Sequence, residues 1–223
     1  YGLVGSEMCI RDRYYSVHTP LQAPKERVAK YEKKPKGERH KNATYAAMVE
    51  SVDRSVGRVM ARLEKLGLAK NTVVIFTSDN GGHGRITSHQ PLRGNKGNFY
   101  EGGIRVPLIV SGRAVANQGS FRHEVMTVKD LAPTLLEFAG IQYPSGAYAG
   151  RKILPQTGKS FAGRLSGNGP AIHTHEEVFG WELFKRRGVI KGDWKLLWLD
   201  APFGKDQWQL FNLRLDPGET QDL

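Results

Sequence analysis

The chain has 223 residues, 39% hydrophobic, 25% charged and 9% aromatic, with 33 Lys and Arg against 22 Asp and Glu for a formal net charge of +11. That is ordinary globular composition with room for one large domain or two small ones, and it excludes collagen, coiled coil and wholesale disorder. The longest apolar runs, Thr72–Thr77 and Val106–Val110, fall far short of the roughly 20 residues that a membrane-spanning helix needs, and the single cysteine, Cys9, closes no intrachain disulfide and builds no cysteine-rich zinc site.

Residues 1–13, YGLVGSEMCIRDR, show neither the helical nor the strand period and lack the apolar core and small-residue cleavage site of a secretory signal. They resemble a translated sequencing adapter, so they are expected to be foreign to the fold, the native chain is expected to begin before Tyr14, and Cys9 is given no role. Residues 14–24, YYSVHTPLQAP, form a short apolar entry stopped by two prolines, which places His18 at a strand-to-loop transition. Between Lys25 and Lys41 eight basic residues stand against three acidic ones, nearly half of the excess charge. The run reads as a solvated surface loop or as a contact for an anionic partner. No aromatics alternate with it as a nucleic-acid stacking platform requires.

From Asn42 to Leu66 the positions Tyr45, Met48, Val49, Val52, Val56, Val59, Met60, Leu63 and Leu66 follow steps of three and four, the period of one buried helix face. Gly67 lies where a left-handed terminus is common. The β-branched run Thr72–Thr77 predicts a parallel strand buried on both faces, and a glycine-rich loop from Gly81 to Gly103 leads to a second buried strand at Val106–Val110. Asp130–Gly140 reads as a short helix with Asp130 as N-cap and Gly140 past its end. Gly140–Gly169 is rich in Gly, Pro and Ser and reads as a long, partly irregular connection. Gly188–Ile190, Trp194–Leu199 and Trp208–Leu213 are short β-rich pieces separated by turn residues, as in an antiparallel sheet. The expected fold class is α/β, a mainly parallel sheet with flanking helices over residues 14–162, followed by a small antiparallel β subdomain over residues 163–223.

Ser78-Asp79-Asn80-Gly81-Gly82 follows the first strand directly. In open α/β sheets the carboxyl ends of strands face the ligand crevice, and Asp79 and Asn80 offer a carboxylate and an amide oxygen, hard donors suited to Ca²⁺ or Mg²⁺. The same residues fit an Asx-Gly turn that merely ends the strand. Leu92 to Pro107 contains four glycines, which let backbone approach a ligand closely, and Lys96 at its centre can reach an anion as a compact point charge. A flexible solvated loop is the alternative there. His18-Thr19-Pro20 holds a histidine against a proline turn, as a proton donor or as a surface residue.

In combination, His18-Thr19-Pro20-Leu21-Gln22-Ala23-Pro24, Phe76-Thr77-Ser78-Asp79-Asn80-Gly81-Gly82 and Leu92-Arg93-Gly94-Asn95-Lys96-Gly97-Asn98-Phe99-Tyr100-Glu101-Gly102-Gly103-Ile104-Arg105-Val106-Pro107 closely resemble the C-terminal half of type I sulfatases of the alkaline-phosphatase-like superfamily. The similarity continues through Asp130–Leu136, Gln209–Leu213 and Asp216–Thr220, and so covers nearly everything from Tyr14 onward. It implies a sulfatase fold whose N-terminal part is missing from this chain, and a sulfate-ester hydrolase with a formylglycine nucleophile and one divalent cation, Ca²⁺ with Mg²⁺ as alternative. It implies Asp79 and Asn80 as metal ligands. Lys96 and His18 become catalytic and substrate-binding residues, Lys96 contacting the sulfate and His18 a candidate general acid for the leaving alcohol.

Arg93 and His83 lie close enough in sequence to line that pocket. The family's nucleophile motif, Cys/Ser-x-Pro/Ala-x-Arg, and its N-terminal Asp-Asp pair are read as absent, since Cys9 is followed by Ile10-Arg11-Asp12-Arg13. This chain is therefore expected to hold half an active site and to be inactive alone. The expected partner is a sulfated small molecule or glycan, with no specific nucleic acid, no membrane span and an open oligomeric state, in a periplasmic or secreted protein. A phosphatase or phosphodiesterase of the same superfamily, and a non-catalytic anion-binding module for acidic glycans or nucleic acid, are the other readings. Trp181, His173 and His175 are candidates for touching a sugar or aryl group, with core packing the alternative for Trp181.

Overall fold

The computed structural model describes residues 9–167 and 169–223. Residues 9–13 carry no helix or strand and are exposed; the remainder of the adapter-like stretch lies outside the described residues. His18 sits in a turn, where the sequence reading expects the end of a strand. The following run also differs from its reading as a loop, because helix α1 occupies Lys25–Glu32 directly after Pro24. Glu26 in its first turn and Lys30 in its last complement the helix dipole. Its cations also reach the next helix, α2 (Ala43–Lys65): Arg27 Nη1 donates to Ser51 Oγ at 2.7 Å and Lys30 pairs with Glu50 at 2.9 Å.

Helix α2 begins and ends where the pattern places it. Asn42 caps it by accepting the Tyr45 N–H at 2.9 Å, and Gly67, at φ +69°, closes it as the Leu68 N–H turns back to the Leu63 carbonyl at 2.9 Å, a left-handed terminus that glycine enters without a Cβ penalty. The apolar stripe is covered unevenly. Ala47 and Met48 are buried and Val52, Val56 and Leu63 half-buried, but Val49, Val59 and Leu66 are exposed.

Strand β1 (Val74–Thr77) pairs with β2 (Leu108–Ser111) in a two-stranded sheet, with the short helix α3 (Glu101–Ile104) on the connection between them. Both strands are shorter than the sequence suggests, and neither is buried on both faces. β1 is half-buried, and β2 alternates, with Ile109 59% exposed. Burial on both faces needs layers above and below a sheet, and the hydrophobic run itself does not supply them.

Two compact units divide the described chain: residues 9–13, Lys70–Val74 and Val110–Thr174 form one, and Tyr14–Ala69, Ile75–Ile109 and His175–Leu223 the other. In the first, α4 (Leu131–Phe138) follows a single 3₁₀ turn and ends at Gly140, at φ +65°, as predicted. Asp130 holds the N-cap position of α4, as predicted, but not through its side chain. Thr127 starts the 3₁₀ turn in a capping box with Asp130, and the Asp130 side chain makes no N-cap bond to α4. That carboxylate instead accepts from the Thr127 N–H at 2.7 Å, the Lys159 N–H at 2.9 Å and His173 Nε2 at 2.9 Å. Tertiary donors have outcompeted the local one. The Gly-rich connection contains the short hairpin β3 (Ala147–Tyr148) and β4 (Arg151–Lys152), then helix α5 (Ala162–Leu165).

The second unit carries a four-stranded antiparallel sheet, β5 (Val178–Leu183), β6 (Arg186–Lys191), β7 (Trp194–Trp198) and β8 (Trp208–Asn212), in sequential order. Pairs such as Ile190↔Lys195 and Lys195↔Phe211 set a register in which Gly188, Ile190, Lys195, Leu197, Gln209 and Phe211 share the buried face. Phe99, Tyr100, Leu197, Leu199 and Phe211 form the core, with Ile104 and Trp181 packed against it. The antiparallel sheet is as expected, although its opening strand β5 lies outside the three pieces that the sequence picks out.

Burial pushes the Asp130 carboxyl up, but hydrogen bonds from His173, Lys159 and Thr127 outweigh it and hold the group below its ordinary value of 3.8. A depressed carboxyl contributes stability above its unfolded value and loses it as pH falls through the folded one. Asp130→Asn is expected to cost about 2 kcal/mol at neutral pH in urea denaturation, and to flatten the loss of stability on acidification below about pH 4. An acid profile identical to wild type would show that Asp130 is not its source.

Candidate functional site

All four predicted site residues belong to the second unit. Where β1 ends, Thr77 Oγ1 donates to the Pro107 carbonyl at 2.9 Å and Ser78 Oγ to the Asn80 carbonyl at 2.9 Å. Asp79 is exposed and Asn80 half-buried, and Asn80 Nδ2 donates to Asp79 Oδ1 at 2.7 Å. The chain then meets the glycine loop: the Gly81 N–H donates to the Gly103 carbonyl at 2.8 Å. A Cβ on Gly81 would lie 1.9 Å from the Gly102 oxygen, so only glycine permits this approach. One residue on, the Gly82 carbonyl accepts the Lys96 N–H at 3.0 Å.

Lys96 and His18, 78 positions apart in sequence, meet with Lys96 Nζ 3.0 Å from His18 Nε2. His18 Nδ1 lies 2.8 Å from the Thr19 carbonyl. A carbonyl only accepts, so Nδ1 carries the proton, and Nε2 presents its lone pair to the ammonium. Backbone bonding thus links the Asp79–Gly82 segment to Lys96, and a side-chain bond links Lys96 to His18.

The loop carrying Lys96 is held from the sheet side by Arg186 and Lys195, which the motif reading passed over, together with Arg93, Glu101 and Glu219 from the motifs themselves. Arg186, on β6, donates to the Gly97 carbonyl, pairs with Asp200 at 2.6 Å and stacks 3.6 Å from the centre of the Phe203 ring. Arg93 lies 4.0 Å over the Tyr100 ring and donates to the Glu219 carbonyl at 3.0 Å. The wholly buried Lys195 ammonium contacts Glu101 Oε1 at 2.7 Å and Glu219 Oε1 at 2.8 Å. Glu219 Oε2 accepts the Glu101 N–H at 2.6 Å. Burial pushes the Glu219 carboxyl up, against the downward pull of Lys195. The signal available in the sequence was a cation at an inward strand position: Arg186 and Lys195 occupy the face that Ile190 and Leu197 bury.

The secondary candidates take other places. Trp181 packs edge-on against Phe99 at 5.8 Å, a core contact. His173 hydrogen-bonds Asp130 in the first unit, and His83 Nδ1 accepts the Arg85 N–H at 3.3 Å. One stretch escaped the motif reading: Ser160-Phe161-Ala162-Gly163-Arg164 does spell the bare Ser-x-Ala-x-Arg pattern. Its ends have structural roles, because Ser160 Oγ accepts the Ala162 N–H at 3.1 Å and Arg164 Nε donates to Glu124 at 2.7 Å.

Asp79 and Asn80 supply hard oxygens of the kind that Ca²⁺ and Mg²⁺ take, and their adjacent side chains fit one edge of a cation site. Asn80 now gives its nitrogen to Asp79, so ligation requires the amide to turn its oxygen instead. No group of three or more His, Cys, Asp or Glu poised to hold a metal occurs among the described residues.

Comparison with known proteins identifies the family. A family model described as Sulfatase matches residues 14–141, and one described as N-sulphoglucosamine sulphohydrolase, C-terminal, matches residues 94–223. A sulfatase of Formosa agariphila is 36% identical over 94% of this chain and 40% of its own length. An uncharacterised sulfatase of Schizosaccharomyces pombe is 30% identical over 80% of this chain and 39% of its own length. The crystal structure of Ps i-CgsB with k-i-k-neocarrahexaose superposes with a TM-score of 0.75 at 28% identity, over 93% of this chain and 44% of that one. The structure of BT4656 with its substrate D-glucosamine-2-N,6-O-disulfate gives 0.62 at 27% identity, over 81% and 35%. The chain thus spans about two fifths of the curated relatives that it matches.

Removing one partner of a buried ionic group leaves the other charge uncompensated, so Lys195→Met is expected to destabilise the second unit by about 3–5 kcal/mol. Adding Glu101→Gln and Glu219→Gln is expected to recover most of that loss in urea denaturation. A single-variant cost below about 1 kcal/mol would show that the buried cluster does not hold the loop.

Proposed function

The chain belongs to the sulfatase family, and we propose that it is the part of a sulfate-ester hydrolase that carries the Asp79–Asn80 metal ligands and the Lys96–His18 pair that meets the sulfate. The observation that carries the reading is the 3.0 Å approach of Lys96 Nζ to His18 Nε2, on a ring whose tautomer the Thr19 carbonyl fixes. A sulfate monoester needs positive charge on its sulfuryl oxygens and a proton on its leaving alcohol. Lys96 supplies the first. A sulfate oxygen entering here replaces Nε2 as acceptor of the Lys96 ammonium.

His18 supplies the second. With Nδ1–H held on Thr19, the proton for the leaving oxygen is carried on Nε2, pointing to where Lys96 directs the sulfate. As the S–O bond to the alcohol breaks, that proton passes to the departing oxygen and the ring returns to the neutral tautomer seen here. A divalent cation, Ca²⁺ or Mg²⁺, held by Asp79 and Asn80 would add further positive charge for the sulfuryl oxygens. The nucleophile, formylglycine by family resemblance, belongs to the remainder of the enzyme. The substrate is a sulfated small molecule or glycan. Relatives crystallised with a carrageenan-type hexaose and a sulfated glucosamine support the carbohydrate choice. No helix among the described residues is long and apolar enough to cross a membrane. The periplasmic or secreted location that we propose follows from the family resemblance.

In the enzyme completed by its nucleophile-bearing part, Lys96→Ala is expected to lower kcat/KM for an aryl sulfate by about 10²–10³-fold. His18→Ala is expected to cost about 10²–10⁴-fold with a poor leaving group and progressively less as the leaving-group pKa falls. A His18 loss that is equal across a graded series of aryl sulfates would remove the general-acid role. The 223-residue chain alone is expected to show no turnover and weak calcium binding by calorimetry, because affinity follows the number and charge of ligands; turnover by the chain alone would refute the half-site reading.

A further inference from the structure

A second feature of the same unit bears on what the substrate looks like. An open cavity of about 600 Å³ is lined by Arg39, Lys41, Arg85 and Arg93, and no Asp or Glu borders it. A cavity of this size accommodates one or two sugar rings. Arg39 and Arg93 are partly committed, Arg39 to the Gln90 carbonyl at 3.3 Å and Arg93 to Glu219 and Tyr100. Lys41 and Arg85 are exposed, and no carboxylate pairs with either among the described residues. Asn42, the N-cap of the 23-residue helix α2, lies on the same wall, and the first turn of that helix contains no acidic residue. The positive end of the helix dipole adds to four cations.

The cavity is joined to Lys96 through one residue. The Gly82 N–H donates to His89 Nε2, in the cavity wall, at 2.7 Å, while the Gly82 carbonyl accepts the Lys96 N–H at 3.0 Å. A Cβ on Gly82 would sit 2.6 Å from Thr87 Cγ2, also in that wall. The wall segment 92–95 also runs directly into Lys96.

We propose that this cavity is an anion subsite beside the Lys96 centre, and that it selects a polyanionic carbohydrate bearing a second sulfate or carboxylate beyond the ester that is cut. Its role as a substrate subsite rests on the sulfatase reading above; its binding of a polyanion does not. An aryl monosulfate leaves Lys41 and Arg85 unmet, whereas a multiply sulfated sugar chain gives Arg85 a bidentate partner and Lys41 a point-charge contact. Nucleic acid fits less well, because the lining offers no Phe, Tyr or Trp for bases to stack on.

The test uses the 223-residue chain with three probes, inorganic sulfate, sucrose octasulfate and an oligothymidylate, titrated by calorimetry without added metal. Sucrose octasulfate is expected to bind more tightly than inorganic sulfate. The pairs Lys41→Ala/Arg85→Ala and Lys41→Gln/Arg85→Gln are each expected to weaken it by about tenfold or more. Lys33→Ala/Lys36→Ala removes the same charge outside the cavity and is expected to change binding by less than about twofold. All three pairs alter exposed side chains, and melting curves verify their folding. Equal weakening by the control pair, or octasulfate binding no tighter than inorganic sulfate, overturns the subsite. An oligothymidylate bound more tightly than octasulfate, with the same dependence on Lys41 and Arg85, overturns the carbohydrate assignment. None of these titrations requires the nucleophile, so failure of aryl sulfate turnover in the completed enzyme counts against the catalytic reading alone.

Discussion

A buried ammonium cannot stand alone, and Lys195 therefore fixes three parts of the second unit at once. Its partners are Glu101, at the start of α3, and Glu219, in the C-terminal tail, while Lys195 itself belongs to the inner strand β7. Separating any one of the three strands a charge in the interior, at a cost of several kcal/mol. The backbone shows how strongly this is enforced, since Glu219 holds φ +54°, a left-handed conformation that costs a non-glycine residue roughly 1–2 kcal/mol. That strain is offset where it arises, by the ion pair to Lys195 and by the Glu101 N–H bonded to the Glu219 carboxylate.

The glycine loop inherits its shape from this anchor. Tyr100, one residue before Glu101, is buried, donates its hydroxyl to Gln209 on β8 at 2.6 Å and supports Arg93 on its ring. Between those two fixed points lie the six residues Gly94 to Phe99, with Gly94 and Gly97 at positive φ. Asn95 and Asn98 close the turn on each other. Lys96 is thus an exposed side chain on a backbone that is determined from both sides, which is how a flexible cation becomes a positioned one.

What the sequence disclosed and what it hid divide along a physical line. Local chemistry was legible: the period of α2 with Asn42 and Gly67 at its ends, the Gly140 terminus, and the close spacing and turn residues that favour antiparallel pairing of β6 to β8 all follow from interactions within short stretches. The motif residues His18, Asp79, Asn80 and Lys96 were legible as types. Burial was not, because the 3.6-residue period shows which residues of α2 share a face, and not that Val49, Val59 and Leu66 on that face stay exposed. Asp130 does stand at the N-cap position of α4, but its carboxylate is turned to other donors, two of which, Lys159 and His173, lie 29 and 43 residues away and leave no local signal. The basic run looked like a loop because its net charge masked Glu26 and Lys30, placed as a short helix wants them. The Ser160 stretch shows the converse, a catalytic spelling whose side chains are engaged in helix and ion-pair contacts.

The exposure of His18, Asp79 and Lys96 has its own energetic meaning. In water two unit charges 4 Å apart interact by only about 1 kcal/mol, so Lys96 does little for a sulfuryl group until solvent leaves. On the proposed reading, a larger and more highly charged substrate excludes water over more of this surface. Gly82 makes that coupling direct, since it hydrogen-bonds through its N–H to the cavity wall at His89 and through its carbonyl to Lys96. On the proposed reading, an anion at Arg85 and Lys41 that orders the wall also orders the backbone next to Lys96. Binding energy gained away from the scissile ester is then available to position the group that acts on it, the use of remote contacts that raises kcat and not only affinity.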